Sequence, residues 1–332
     1  LERSPTVTRF PRRAIWGAVA VALVTSLSGS TSHARSAAPD PRGLIAFTWA
    51  NADFIDEEIG VVRADGACRR LLTDEVGFSV ASAWSPDGRR IAFSSSRSAP
   101  QGPGNLLPYS ELYVMNADGS NVQRITRNVN LIDFQAAWSP DGRRIVVARG
   151  SGDPPPPGQL AQPTDLWIID LATGRERQLT NSPSTWEWFA HWSPDGRRIA
   201  FEGDLTDPGG AGDVYTINVD GTGLRQITTD PAYDGDAHYS PDGRLLLFDS
   251  DRTGNLDVFV MRTDGTGVLR LTRDPSVDLA GSFSPDQQYI AFTSDRNGGQ
   301  PDVFRMRADG SMQTNLTRTP EEWEFDPDWQ PR

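Results

Sequence analysis

The sequence predicts an all-β fold, a six-bladed β-propeller of four-stranded antiparallel blades, on three observations. A turn phrase close to Ser-Pro-Asp-Gly recurs along the chain, each copy is followed by the same order of apolar runs and turns, and no stretch between Arg42 and Arg332 shows helical periodicity.

The turn phrase comes first. "AWSPDGRRIAF" (83 to 93) returns as "AWSPDGRRIVV" (137 to 147) and "HWSPDGRRIAF" (191 to 201). Ser-Pro-Asp-Gly suits a type I turn: Ser85 caps, Pro86 fixes φ, and Gly88 is free to turn left-handed. Trp84 ends one strand and Ile91, Ala92 and Phe93 form the apolar part of the next, so each copy reads as a β-hairpin. Aligned on the residue before the turn, the copies fall at Trp84, Trp138, Trp192, Tyr239, Phe283 and Trp329, spaced 44 to 54 residues apart.

The second half of each repeat follows. "EIGVVRADGACRRLLT" (58 to 73), "ELYVMNADGSNVQRIT" (111 to 126), "DLWIIDLATGRERQLT" (165 to 180), "DVYTINVDGTGLRQIT" (213 to 228), "DVFVMRTDGTGVLRLT" (257 to 272) and "DVFRMRADGSMQTNLT" (302 to 317) each hold an apolar run, a turn and a short strand. Four strands at this spacing fit a propeller blade. The first copy opens at "GLIAF" without a preceding turn strand, and the last stops at "DPDWQPR". The C-terminal segment is therefore expected to supply the innermost strand of blade one and to close the ring.

The combination of "WSPDG", "IAF", "SDRxG" (250 to 254 and 294 to 298), "DVYxM" and "LT" resembles the repeats of the TolB-like six-bladed propellers. The resemblance covers residues 43 to 332, and it implies the fold more specifically than any function. It also implies a chain lacking the N-terminal α/β domain that TolB carries ahead of its propeller.

Residues 1–34 read as a cleaved export signal: Arg9, Arg12 and Arg13, the apolar run "AIWGAVAVALVTSL" (14 to 27), then "STSHA". The run is shorter than the roughly 20 residues that span a bilayer, so no stable membrane insertion is expected after cleavage. A linker over 35–42 leads into the propeller, 43–332, and the expected location is periplasmic or extracellular. The chain carries −12; residues 1–34 contribute four Arg and one Glu, net +3, which leaves −15 on the remainder. Such an anionic chain is a poor partner for nucleic acid. Cys68, the only cysteine, excludes an intrachain disulfide and any Cys-based metal cluster.

Candidate site residues come from the end of the propeller that carries the inter-blade links. Five residues before each blade aromatic stand Ser79, Asp133, Glu187, Asp234, Asp278 and Glu324, a nearly complete ring of carboxylates. A second acidic set, Glu58, Glu111, Asp165, Asp213, Asp257 and Asp302, opens the third strands and is expected to pair with Arg252 and Arg296. Aromatics break the repeat beside the first set: Trp49, Trp186, Trp188, Tyr233 and Trp323. Aromatics next to acids suit a sugar, a cation or a protein anchor. Long loops at 94–110 and 148–164 are expected to wall one side of the channel mouth. His191 and His238, each one residue before a blade aromatic, are expected to pack between blades; the other reading brings them to a metal with Asp236.

Two function classes follow. The first is an exported, non-catalytic, monomeric binding propeller that engages a protein, peptide or glycan at its channel mouth, with no cofactor beyond a cation in the channel. The second is a metal-dependent hydrolase or lactonase. The sequence has no G-x-S-x-G elbow and no His-rich metal motif, so no catalytic residue and no metal ligand is assigned.

Overall fold

The computed structural model describes residues 43–331 apart from 52–55, 75–76, 99–108, 129, 152–162, 183–184, 207–210 and 299. Residues 1–42, which the sequence reading gives to an export signal and a linker, and most of both long loops lie outside the described residues.

The described strands form six four-stranded antiparallel sheets. From the axis outward, blade one is β24 (Trp323–Trp329), β1 (Leu44–Ala50), β2 (Glu57–Arg63) and β3 (Arg70–Leu71). Blade two is β4 (Ser79–Trp84), β5 (Arg90–Ser95), β6 (Glu111–Asn116) and β7 (Gln123–Arg124), and blade three is β8 (Leu131–Trp138), β9 (Arg144–Ser151), β10 (Thr164–Asp170) and β11 (Glu176–Gln178). Blade four is β12 (Glu187–Trp192), β13 (Arg198–Gly203), β14 (Asp213–Asn218) and β15 (Arg225–Gln226). Blade five is β16 (Asp234–Tyr239), β17 (Leu245–Ser250), β18 (Asp257–Arg262) and β19 (Leu269–Arg270); blade six is β20 (Asp278–Leu279), β21 (Tyr289–Ser294), β22 (Asp302–Arg307) and β23 (Thr314–Asn315). The expected closure is present: β24 pairs with β1 from Ile45↔Trp329 to Ala50↔Trp323.

The repeated phrase does two jobs. Gly88 N–H donates to Ser85 O at 2.8 Å with Gly88 at φ 63°, and the same bond and angle recur at Gly142, Gly196 and Gly243. The arginine that ends the phrase then reaches the next blade, with Arg90 over the Trp138 ring and Arg144 over the Trp192 ring at 4.5 and 4.9 Å.

The apolar core is divided into six clusters, one at each blade–blade interface. Leu44, Ile59 and Val61 of blade one meet Trp84, Ile91 and Phe93 of blade two, and the ring ends with Ala291 and Val303 of blade six against Ile45 and Phe47 of blade one. Because each blade buries its apolar faces against its two neighbours, the axis is left to other residues. The inner strands are bent there. Ala81, Gln135, Phe189, Asp236 and Asp326 all have positive φ, between 45° and 55°, each three residues before its blade aromatic. Bulges coincide with them in β4, β8, β12 and β16. A bulge re-aims the side chains around it and supplies the extra twist that brings six strands round one axis.

Candidate functional site

The acid ring at the link end is buried and held mainly by arginines of the same face, with one oxygen each of Glu187 and Glu324 left without a donor. Asp133, Glu187, Asp234, Asp278 and Glu324 are all 0% exposed. Arg252 Nη2 donates to both oxygens of Asp234 at 2.7 and 2.8 Å, and Arg296 Nη2 to both of Asp278 at 2.8 Å. Arg149 holds Asp133, Arg69 holds Glu324, and Arg97 donates to Ser79, the neutral member of the ring. Glu187 has no arginine. Thr180 Oγ1 donates to it, and burial pushes its carboxyl up to about 7.

The third-strand acids find other partners than expected. Arg252 and Arg296 are engaged with the link-end ring, and the second set pairs with the threonine of "LT" and with residues of the outermost strand. Thr126 Oγ1 and Arg124 donate to Glu111 at 2.6 Å, Thr228 Oγ1 to Asp213 at 2.9 Å, and Arg270 to Asp257 at 2.6 Å. The SDRxG arginine goes to the inner strand because its guanidinium lies over two aromatics of its own blade, Phe248 and Phe259 for Arg252, which aims it inward.

Among the aromatics, blades four and five bring three together. Trp186 and Trp188 have ring centroids 5.0 Å apart, and the space beside Gly212 is bounded by Trp186 and Tyr233. Tyr233 Oη donates to Glu202 Oε2 at 2.7 Å. Trp188 packs against the cluster between blades three and four, and Trp49 against the one between blades six and one. Trp49 and Glu324 lie opposite one another in the β1–β24 pair, next to Trp323.

A cavity of about 200 Å³ occupies the axis, lined by residues of all six blades, blade six contributing Gly281 just beyond its inner strand. His191 and His238 line it with Asp236, Asp326 and Asp328 rather than packing between blades. Their strand positions face the axis because the bulge at Asp236 and its counterparts shifts the alternation of the strands. His238 Nε2 lies 3.0 Å and His191 Nε2 3.6 Å from the same oxygen, Asp236 Oδ1. The two imidazoles lie against each other with centroids 3.5 Å apart. Blade six makes room beside them: a Cβ on Gly281 would stand 2.7 Å from Pro327, so glycine there lets the Asp326–Pro327–Asp328 segment approach.

Behind this lining stand more acids. Glu202 and Asp249, on the second strands of blades four and five, are 1% and 0% exposed, and Glu57 is 4% exposed. Desolvation pushes Glu202 and Glu57 up to about 8, with Asp236 and Asp326 respectively adding to the effect. It pushes Asp249 up strongly, reinforced by Asp236 and Glu202, and Asp326 up to about 7. Burial works against the charge of His191, which falls to about 4, whereas for His238 the neighbouring Asp236 outweighs burial and raises it. Among the described residues no arginine pairs with Glu57, Glu202, Asp236, Asp249, Asp326 or Asp328. Four of the five link-end acids are thus paired with arginine, whereas among the described residues the axial acids have only two histidines as cationic neighbours.

The sequence did carry a signal for the axial group. Three and one residues before the blade aromatics stand Ala81 and Ala83, Gln135 and Ala137, Phe189 and His191, Asp236 and His238, Ala280 and Ser282, and Asp326 and Asp328. These columns vary while their neighbours repeat, and reading them down the repeats singles out blades four, five and one.

Residues 160–270 and 252–332 match the family model described as the TolB beta propeller domain. The Tol-Pal system protein TolB of Anaeromyxobacter dehalogenans is 34% identical over 128 residues, 37% of this chain and 25% of its own length. The chain thus matches about a quarter of the length of such curated relatives. The crystal structure of TolB from Acinetobacter baumannii superposes with a TM-score of 0.71 at 20% identity, covering 87% of this chain and 67% of that one. An oligogalacturonate lyase in complex with manganese superposes at 0.53 with 16% identity over 79% of this chain and 71% of its own. Both superpositions speak to the fold alone, whereas the family match spans more than half of the sequence: the chain belongs to the TolB β-propeller family.

Proposed function

We propose that this protein is an exported binding propeller that takes a protein or peptide partner at the mouth of its channel, on the face that carries the inter-blade links. The observation that carries the reading is the Trp186–Trp188 pair with Tyr233 beside it, half-buried aromatics on a face where four of the five acids are already paired with arginine. Trp188 also packs against the core between blades three and four, and the partly exposed ring of Trp186 beside it is of the kind that most often anchors an interface. Asp133, Glu187, Asp234, Asp278 and Glu324 then act as the buried frame beneath the contact, while Trp49 and Trp323 extend it onto blade one. The likeness to a Tol-Pal system protein supports a protein partner, and the signal-like segment 1–34 supports a periplasmic location.

A photo-crosslinking residue at Trp186 tests this in cells of the source organism, with Arg307, at the opposite end of the propeller, as control. Adducts confined to position 186 are expected. Equal adducts at both positions, or none, reject the reading. A second reading, a metal-dependent hydrolase or lactonase, is favoured by the His191–Asp236–His238 arrangement at the cavity. Hydrolysis of lactone or ester substrates that disappears on chelation and returns with metal would establish it.

A further inference from the structure

We propose that His191, Asp236 and His238 bind a single divalent transition-metal ion, with zinc as the reference ion. The inference rests on neither functional reading above, because an axial metal serves a binding propeller and an enzyme alike.

The donors converge. Both imidazole Nε2 atoms face one carboxylate oxygen at 3.0 and 3.6 Å, and all three ligand atoms lie within 4.8 Å of one another. Donors that each stand 2.0–2.2 Å from a shared ion are roughly 3 to 3.5 Å apart, so the three ligand atoms have a suitable spacing, and splaying the two stacked rings would aim both nitrogens at one ion. Two imidazoles and one carboxylate form a borderline donor set that suits zinc, iron, cobalt or nickel better than magnesium or calcium. Three protein ligands leave further coordination positions directed at the adjoining cavity, whose volume of about 200 Å³ holds several waters or part of a ligand.

The scaffold itself does not require these side chains. At the position of the two histidines the other blades carry Ala83, Ala137, Ser282 and Asp328, and the interface clusters close without them.

A second observation points the same way. Asp249, 0% exposed, has no well-formed hydrogen bond to either oxygen, and its charged neighbours are Asp236 and Glu202. A buried carboxyl without an arginine or hydroxyl partner either takes up a proton or keeps its charge by having a cation close by, and the second course is open here. The link-end ring shows how this chain satisfies acids when the purpose is structural, and that device is missing at the axis.

The test uses the full, untagged chain, stripped with chelator and titrated calorimetrically with Zn²⁺ and, separately, Mg²⁺. One equivalent of zinc with a raised melting temperature, and no response to magnesium, is expected. His191→Ala and His238→Ala should each lower zinc affinity by more than the roughly 10–100-fold that loss of an outer-sphere partner costs. Arg307→Ala, on β22 away from the cavity lining, should leave it unchanged. Should a histidine variant fail to fold, Co²⁺ added to the unaltered protein gives the same answer, because nitrogen-ligated cobalt in a low-coordinate site absorbs in the visible and zinc displaces it. No saturable zinc binding, zinc binding that survives both histidine substitutions, colourless cobalt, or equal response to magnesium would each overturn the proposal.

Discussion

Arg124 donates to Glu111 across blade two at 2.6 Å, and the corresponding positions of blade one hold Leu71 and Glu58. The equivalence follows from the strand register, which sets Gly60 opposite Leu71 as it sets Tyr113 opposite Arg124. Every other blade has a polar residue there: Gln178, Gln226, Arg270 and Asn315. Glu58 is 6% exposed, one of its oxygens lacks a donor, and burial pushes its carboxyl from 4.5 to about 7.

Leu71→Arg should therefore stabilise the protein, and in a pH-dependent way. A carboxyl whose folded pKa is raised is held more tightly protonated in the native state, so stability falls as pH rises from about 4.5 to about 7 and stays lower above that. An arginine at 71 removes part of that loss. Leu71 is 39% exposed, so little apolar burial is sacrificed. The expected gain is about 1 kcal/mol at pH 8 and close to nothing at pH 4.5, read as melting temperatures. An equal gain at both pH values would mean that the arginine acts elsewhere.

Gln287 occupies the left-handed turn position, at φ 58°, that Gly88, Gly142, Gly196 and Gly243 occupy elsewhere. Its N–H makes the same bond, to Ser284 O at 2.8 Å. Gln287→Gly should relieve about 1 kcal/mol of left-handed strain, offset in part by the freer unfolded chain, for a net gain of roughly 0.5 kcal/mol. A lower denaturation midpoint would show that the Gln287 side chain contributes more than its backbone costs.

The blades, their number and the closing strand were legible because each depends on local patterns repeated six times: a turn residue that must be left-handed, alternating apolar residues, and an unpaired strand at either end. The aim of individual side chains was not. Alternation assigns residues to two faces of a strand, and a bulge at Asp236 or Phe189 exchanges those faces, so His191 and His238 meet at the axis when a regular strand would bury them between blades. Pairing between elements was equally hidden. Arg252 and Arg296 had two recurrent acids within reach, and only their stacking over blade aromatics decides for Asp234 and Asp278.

Deleting residues 326–332 should open the ring. The deletion removes Trp329, 8% exposed, its pairing with Ile45, and the bonds from Trp84 N and Trp84 Nε1 to Asp328 at 2.8 and 3.2 Å. Loss of a strand with its core aromatic costs several kcal/mol, more than half of the stability of many domains. A truncated chain with unchanged melting would show that the remaining sheets hold the ring without this strand.

Arg296 and Asp278 test whether the arginines of the link-end ring neutralise charge or cover rings. Arg296 lies 5.4 and 5.0 Å from the Phe292 and Phe304 centroids while it binds both oxygens of Asp278, which is 0% exposed. Burial already raises the Asp278 carboxyl above its ordinary value with Arg296 present. Blade four has Leu205 at the matching position, 18 residues after Glu187, so leucine is sterically tolerated there. Arg296→Leu leaves a buried acid without its cation and should cost about 3–5 kcal/mol at pH 8. With the arginine gone the folded pKa of Asp278 climbs further, so the loss grows as pH rises above 3.8 and is small at pH 4, where the folded acid is protonated and the unfolded one has only begun to favour its ionised form. Asp278→Asn added to Arg296→Leu should then recover much of the stability at pH 8 and change little at pH 4. If the Arg296→Leu deficit is the same at both pH values and Asp278→Asn does not relieve it, the arginine contributes by packing over Phe292 and Phe304, and the charge on Asp278 is met by Ser294 and the surrounding backbone instead.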